Sequence, residues 1–166
     1  MTKETVLVAY GSKRGGTAEI AEWIGASLRA DHISVAVKPA REVHSLSGFG
    51  AVVLGGALYS GRWHRDSRHF ARRFTRQLRE HPVWLFASGP LDDSTDAGTD
   101  GKAFGARAVH RTADRLGARG TAIFGGRLER TATGFPASAM AKSSAGDFRN
   151  RARIEAWAKD IATRLG

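Results

Sequence analysis

Val6-Leu7-Val8-Ala9-Tyr10-Gly11-Ser12-Lys13-Arg14-Gly15-Gly16-Thr17 is the stretch on which the fold turns. Residues 6–10 form an unbroken apolar run, the pattern of a strand covered on both faces by helices. A loop rich in Gly and hydroxyls follows at 11–17, and Ile20, Ile24 and Leu28 then recur at the spacing of one helix face. A loop between a buried strand and a helix N-terminus presents several backbone N–H groups together with the positive end of the helix dipole. That combination binds phosphate.

Outward from this unit, strand and helix patterns alternate along the whole chain, which predicts a parallel sheet between helices. Strand two falls at 33–37, closed by Lys38-Pro39, and a short helix or turn at 41–46. Strand three covers 51–56, followed by a loop at 57–64 and a helix to about residue 79. Pro82 begins strand four at 83–87. A polar loop at 88–101 leads into a helix at 103–116, ended by Gly117. Strand five covers 121–124, residues 125–146 read as irregular, and a last helix carries Ile154, Trp157, Ile161 and Leu165. The expected fold is α/β, a doubly wound five-stranded parallel sheet of order 2-1-3-4-5 with helices on both faces, residues 1–166 making a single domain. In such sheets ligands bind outside the carboxyl ends of the strands, at the switch point between strands one and three. The loops after strands one, three and four would converge there.

Composition narrows the chemistry. The 166 residues are 42% hydrophobic and 25% charged, as in an ordinary globular chain. Cysteine is absent, which excludes disulfides, thiolate catalysis and iron–sulfur ligation. No basic-plus-apolar leader precedes the first strand, and no apolar run reaches the ~18 residues that span a bilayer, so a cytoplasmic location is expected. The net charge of +10 suits anionic partners, or serves solubility only.

Several phosphate-binding loops can be told apart on residues. A Walker loop ends in Gly-Lys-Ser/Thr, which 11–17 lacks. A dinucleotide fingerprint needs G-x-G-x-x-G and an acid after strand two, whereas here the glycines fall elsewhere and strand two ends in Val37-Lys38. Lys38 could meet a 2′-phosphate, so a short NADP-binding enzyme is one rival. A phospho-acceptor domain needs a carboxylate after strand three, where Gly55-Gly56-Ala57 stands. What remains is one phosphate monoester held by N–H groups and the hydroxyls of Ser12 and Thr17, with Lys13 and Arg14 adding charge. Thr17 can equally be a helix cap.

Three stretches together resemble the flavodoxin-like family, and within it the branch of menaquinone-dependent protoporphyrinogen oxidases. They are Ser12-Lys13-Arg14-Gly15-Gly16-Thr17, Gly55-Gly56-Ala57-Leu58-Tyr59-Ser60-Gly61-Arg62-Trp63-His64, and Gly146-Asp147-Phe148-Arg149 with Ile154, Trp157 and Ala158. The resemblance implies FMN as cofactor, its phosphate on Ser12, Lys13, Arg14, Gly15, Gly16 and Thr17. It implies an isoalloxazine ring between the loops after strands three and four. Ala57, Leu58, Tyr59, Ser60, Gly61 and Trp63 would line one side, and Ser88, Gly89, Pro90 and Leu91 the other. Tyr59 is the favoured ring contact. Trp63 is read either as a second contact or as a core residue on the side of Phe70 and Phe74. The segment 127–145 is shorter and less apolar than the insert of those oxidases, so the substrate is unassigned.

Around this centre, Asp92, Asp93, Asp96 and Asp100 lack calcium-loop spacing, and no metal site is expected. His64 reads as a helix-start residue or a proton donor, and no catalytic side chain beyond the cofactor is assigned. Arg65, Arg68, Arg72, Arg76 and Arg79 form a stripe opposite Phe70, Phe74 and Leu78, either a solvated face or a dock for an anionic partner; nucleic acid is not expected. The expected function is an FMN-dependent oxidoreductase or electron-transfer domain serving a small-molecule or protein redox partner. Its rivals are a flavodoxin with a protein partner and no substrate of its own, and a flavin-free binding module for an anionic partner.

Overall fold

The computed structural model describes residues 4–12, 15–59, 61–89, 106–125, 127–128, 146–147 and 150–165. Its elements are β1 (Thr5–Gly11), α1 (Gly16–Ala30), β2 (Val35–Pro39), β3 (Phe49–Tyr59), β4 (Arg62–Trp63), α2 (Arg65–Arg73) and α3 (Thr75–Leu78). They continue with β5 (Val83–Ser88), α4 (Ala106–Leu116), β6 (Gly120–Phe124), β7 (Arg127–Leu128), β8 (Gly146–Asp147) and α5 (Arg151–Leu165). The five long strands are parallel in the order β2-β1-β3-β5-β6. This is the expected order 2-1-3-4-5, renumbered because the short β4 intervenes in the chain.

The unbroken apolar runs follow from burial of both faces of the sheet. Leu7 and Ala9 of β1, Val52 and Leu54 of β3, and Val83 and Leu85 of β5 join one core cluster with Phe70, Phe74 and Leu78 of the α2–α3 segment and Val109 of α4. Val6 and Val8, Ala51 and Val53, and Trp84 and Phe86 point the other way, against Ile20, Ile24 and Leu28 of α1 and Ile154, Ala158 and Ile161 of α5. Alternate residues of each run thus serve opposite cores, so neither face could be polar. β2 lies at one edge and is only half-buried, with Lys38 exposed, as an edge strand tolerates.

Several boundaries differ from the sequence expectation. β2 runs from Val35 to Pro39 rather than over 33–37, so Lys38-Pro39 continues the strand, paired with Ala9 and Tyr10 of β1. β3 runs on to Tyr59, and the segment read as a loop at 57–64 folds back as β4, with Leu58 opposite Trp63 and Tyr59 opposite Arg62. The helix expected to reach residue 79 breaks at Phe74, whose backbone (φ −107°, ψ 18°) is non-helical; Phe74 stays buried while the chain restarts as α3. The segment read as irregular at 125–146 has a two-stranded antiparallel ladder, β7 with β8, at its ends. Residues 129–145 between them lie outside the described residues, as do Asp92, Asp93, Asp96 and Asp100.

Candidate functional site

The order β2-β1-β3 reverses the direction of chain progress at β1, and the crevice beyond the carboxyl ends of β1 and β3 is the switch point. Register brings three segments together there. Gly11 pairs with Gly56, and Ala57 pairs with Ser88, so the ends of β1, β3 and β5 lie side by side.

The first segment is the loop into α1. Gly15 occupies the helix N-cap with φ +81°, a left-handed conformation that only a residue without Cβ adopts without strain. Ser12 Oγ accepts the Gly15 N–H at 3.2 Å, which leaves the Ser12 hydroxyl hydrogen to donate elsewhere. The first turn of α1, whose N–H groups point out of the helix toward the crevice, has the dipole of a 15-residue helix behind it. Thr17 is not the cap residue; its side chain is buried, and Thr17 Oγ1 lies 2.6 Å from Ser88 Oγ at the end of β5. One hydrogen of the two hydroxyls is used within this pair, so the other is available to a third group. Gly16 lies in the first helical turn; Lys13 and Arg14 lie outside the described residues.

The second segment is the β3–β4 hairpin. Ala57 is buried, Leu58 and Tyr59 are half-buried, and Gly61 turns the chain with φ +77°. The Trp63 side chain is 1% exposed, and its indole N–H is shared between Gly56 O at 3.1 Å and Phe86 O at 3.2 Å. Of the two roles the sequence left open for Trp63, the structure places it in the core with Phe70 and Phe74. Tyr59 remains the half-exposed aromatic, its ring centroid 6.3 Å from that of His64. His64 caps α2: its Nδ1 accepts the Asp66 N–H at 3.0 Å, and its backbone N–H donates to Ala57 O. Ser60 lies outside the described residues.

The third segment begins at Ser88. The Gly89 N–H donates to Phe124 O, and a Cβ on Gly89 would lie 2.6 Å from Leu58 Cβ. Here the end of β3 and the residue after β5 pack directly against each other, Leu58 on Gly89. Pro90 and Leu91 lie outside the described residues.

Ser67 escaped the sequence reading. It sits fully buried against Gly56 and donates to Gly55 O at 2.8 Å, fastening α2 beneath the crevice. The available signal was a lone hydroxyl on the apolar stripe Trp63, Phe70, Phe74. Of the arginine stripe, Arg65, Arg72, Arg76 and Arg79 are exposed, while Arg68 is half-buried and donates to Trp63 O at 2.9 Å. Among the described residues no cluster of His, Asp or Glu could hold a metal, and no helix is long and apolar enough to cross a membrane. A cavity of about 800 Å³ opens at the opposite end of the sheet, lined by Glu4, Asp31, Ser34, Pro82 and Lys159. Its mixed charges and distance from the switch point set it apart from the crevice.

The arrangement suits a phosphate monoester carrying a flat aromatic group: a helix N-terminus with hydroxyls at one end, a half-exposed tyrosine on a hairpin at the other. A family model described as a flavodoxin domain matches residues 7–141. No curated protein matches the chain by sequence. Among solved structures, the chain is similar to rubredoxin oxygen:oxidoreductase from Desulfovibrio gigas (15% identity, TM-score 0.63, 97% of this chain and 36% of that one). It is also similar to a flavodoxin from the domain Archaea (15% identity, TM-score 0.61, 97% and 98% covered). A short-chain flavodoxin associated with a PDU bacterial microcompartment gives 12% identity and a TM-score of 0.64, with 99% and 100% covered. The chain spans about a third of the oxidoreductase and nearly all of the two flavodoxins. At these identities the likeness concerns the fold.

Proposed function

The chain belongs to the flavodoxin domain family, and on that footing we propose that residues 1–166 form one FMN-binding domain that transfers electrons to and from a redox partner. The observation that carries this most directly is Gly15, left-handed at the head of α1 on the β1–β3 switch point, with the Ser12, Thr17 and Ser88 hydroxyls beside it. FMN, when bound, supplies reversible electron transfer at its isoalloxazine ring. Ser12, Lys13, Arg14, Gly15, Gly16 and Thr17 hold the phosphate through N–H groups, hydroxyls and charge. Ala57, Leu58, Tyr59, Ser60 and Gly61 would line one side of the ring and Ser88, Gly89, Pro90 and Leu91 the other, with Tyr59 as the stacking aromatic. Trp63 supports this hairpin from beneath. His64 fixes the start of α2: its Nδ1 accepts the Asp66 N–H, which puts the proton of the neutral ring on Nε2.

The finer resemblance, to menaquinone-dependent protoporphyrinogen oxidases, rests on the three sequence stretches and draws no support from the family model or the structural neighbours, which name flavodoxins and an oxygen:oxidoreductase. Electron transfer without a dedicated substrate is therefore the preferred function, and a cytoplasmic setting goes with it. Two assays separate the two: FMN-loaded protein first reduced with dithionite and mixed with oxidised one-electron protein acceptors, and oxidised FMN-loaded protein mixed with protoporphyrinogen and a quinone analogue as terminal acceptor. Transfer to protein acceptors without porphyrinogen oxidation is expected; porphyrinogen turnover restores the oxidase assignment.

A further inference from the structure

We propose that the arginine-rich face built by α2, α3 and α4 docks an acidic electron-transfer protein beside the crevice, a proposal that rests on the flavin-based function above. Both cores of the sheet are flanked by helices, but the two outer faces differ in charge. α2, α3 and α4 carry eight arginines against Asp66 and Asp114, whereas α1 and α5 carry five basic against four acidic residues. The pairing differs too. On α5, Arg151 and Arg164 hold Glu155 and Asp160 at 2.9 and 3.0 Å. Among the described residues no arginine of α2, α3 or α4 is ion-paired to a carboxylate, and Arg65, Arg72, Arg76, Arg107, Arg111 and Arg115 are exposed.

The three helices form one continuous surface. Phe70, Phe74, Leu78, Val109 and Leu116 share a core beneath it. From Arg65 to Arg79 the ridge runs about 20 Å at helical rise. It begins where the crevice opens: exposed Arg62 pairs with Tyr59 across the hairpin, and Arg65 starts α2 directly after the His64 cap. A partner drawn onto this ridge by charge arrives with its edge against the exposed end of the crevice. A surface of like charge with few counter-charges of its own accelerates encounter with an oppositely charged protein, and does so most at low ionic strength. Nucleic acid would match the charge equally well but brings no electron to the crevice, so an acidic redox protein is the occupant that fits both features.

An acidic [2Fe–2S] ferredoxin serves as probe, titrated into the apo and the FMN-loaded protein at low and high salt, with FMN affinity measured in parallel. Arg72→Glu/Arg76→Glu and Arg111→Glu/Arg115→Glu are compared with Lys159→Glu/Arg164→Glu on the opposite face. The expected result is binding weakened about tenfold or more by either face variant at low salt. The control should stay within about twofold and FMN affinity should be unchanged throughout. Equal binding by wild type and both face variants, equal loss in the control, or tighter binding of duplex DNA than of ferredoxin overturns the proposal. Arginine-dependent ferredoxin binding by a chain that takes no FMN leaves the dock standing and removes the flavin function instead.

Discussion

Thr17 and Ser88, 71 residues apart in the chain, are joined by a 2.6 Å hydrogen bond between buried hydroxyls. The bond ties the first turn of α1 to the end of β5, and so fixes the α1 end of the crevice against that strand. Replacing Thr17 by Val keeps the shape and removes one hydroxyl, leaving Ser88 Oγ buried without this partner. A loss of about 1–3 kcal/mol in the apo protein is expected from urea unfolding, with part of it regained in Thr17→Val/Ser88→Ala.

Gly15→Ala isolates the backbone. Nothing lies within 4 Å of the position a Cβ would take, so no clash contributes, but φ +81° remains. The expected cost is about 1–2 kcal/mol in the thermal or urea unfolding of the apo protein, together with weaker FMN binding as α1's first turn shifts. A neutral substitution would mean that the loop tolerates another conformation and that the left-handed turn at Gly15 is not preformed.

Tyr59 and Trp63 should separate cleanly. Trp63→Phe strips a buried N–H from the carbonyls of Gly56 and Phe86 and should lower stability by about 1–3 kcal/mol while leaving FMN affinity nearly unchanged. Tyr59→Ala removes a half-exposed ring and should do the reverse, weakening FMN with little effect on apo-protein unfolding. The opposite pattern would exchange their roles.

His64 can be tested by its isostere for capping. His64→Asn retains a side-chain acceptor for the Asp66 N–H, and His64→Ala does not. A difference of about 1 kcal/mol between these two variants in denaturant unfolding is expected. Electron-transfer rates of the FMN-loaded His64→Asn protein should match wild type if the ring serves only to cap α2, and a lower rate would assign it a further role.

Alkaline stability reports on Tyr10. Burial above all, then the Glu22 and Glu42 carboxylates, raise its phenol above the usual value near 10.0, with Arg41 acting in the opposite sense. Below that value both folded and unfolded chains keep the proton and no pH dependence arises. Above it the unfolded chain ionises first, so stability falls as pH rises through the folded pKa. Tyr10→Phe should flatten that alkaline limb in unfolding measured between pH 9 and 11 (about one unit either side of the model phenol) and leave stability at pH 7 close to wild type.

How far the sequence could be read depended on which force shaped each segment. The apolar runs at β1, β3 and β5 were legible because two opposite cores both demand apolar side chains there, and the strand order followed from their alternation with amphipathic helices. The β3–β4 hairpin was not: Ser60-Gly61 is a turn signal in the sequence, but β4 is only two residues long, too short to show an alternating pattern, and Trp63 is held there by two carbonyls of the core. The break at Phe74 was hidden for a similar reason: Phe70, Phe74 and Leu78 keep helical spacing, and only the backbone at Phe74 departs from it. At the crevice, Gly15 and Thr17 announced a phosphate loop, but the bond from Thr17 to Ser88 spans 71 positions and leaves no local trace.

Titration of the apo protein with FMN and with riboflavin, by flavin fluorescence and heat of binding, bears most directly on the phosphate loop at the head of α1. Tight FMN binding is expected, with riboflavin weaker by tenfold or more, because only FMN carries the phosphate that the first turn of α1 receives. Equal affinity for the two would contradict a phosphate site at residues 12–17, and no binding of either would contradict a flavin at this crevice altogether.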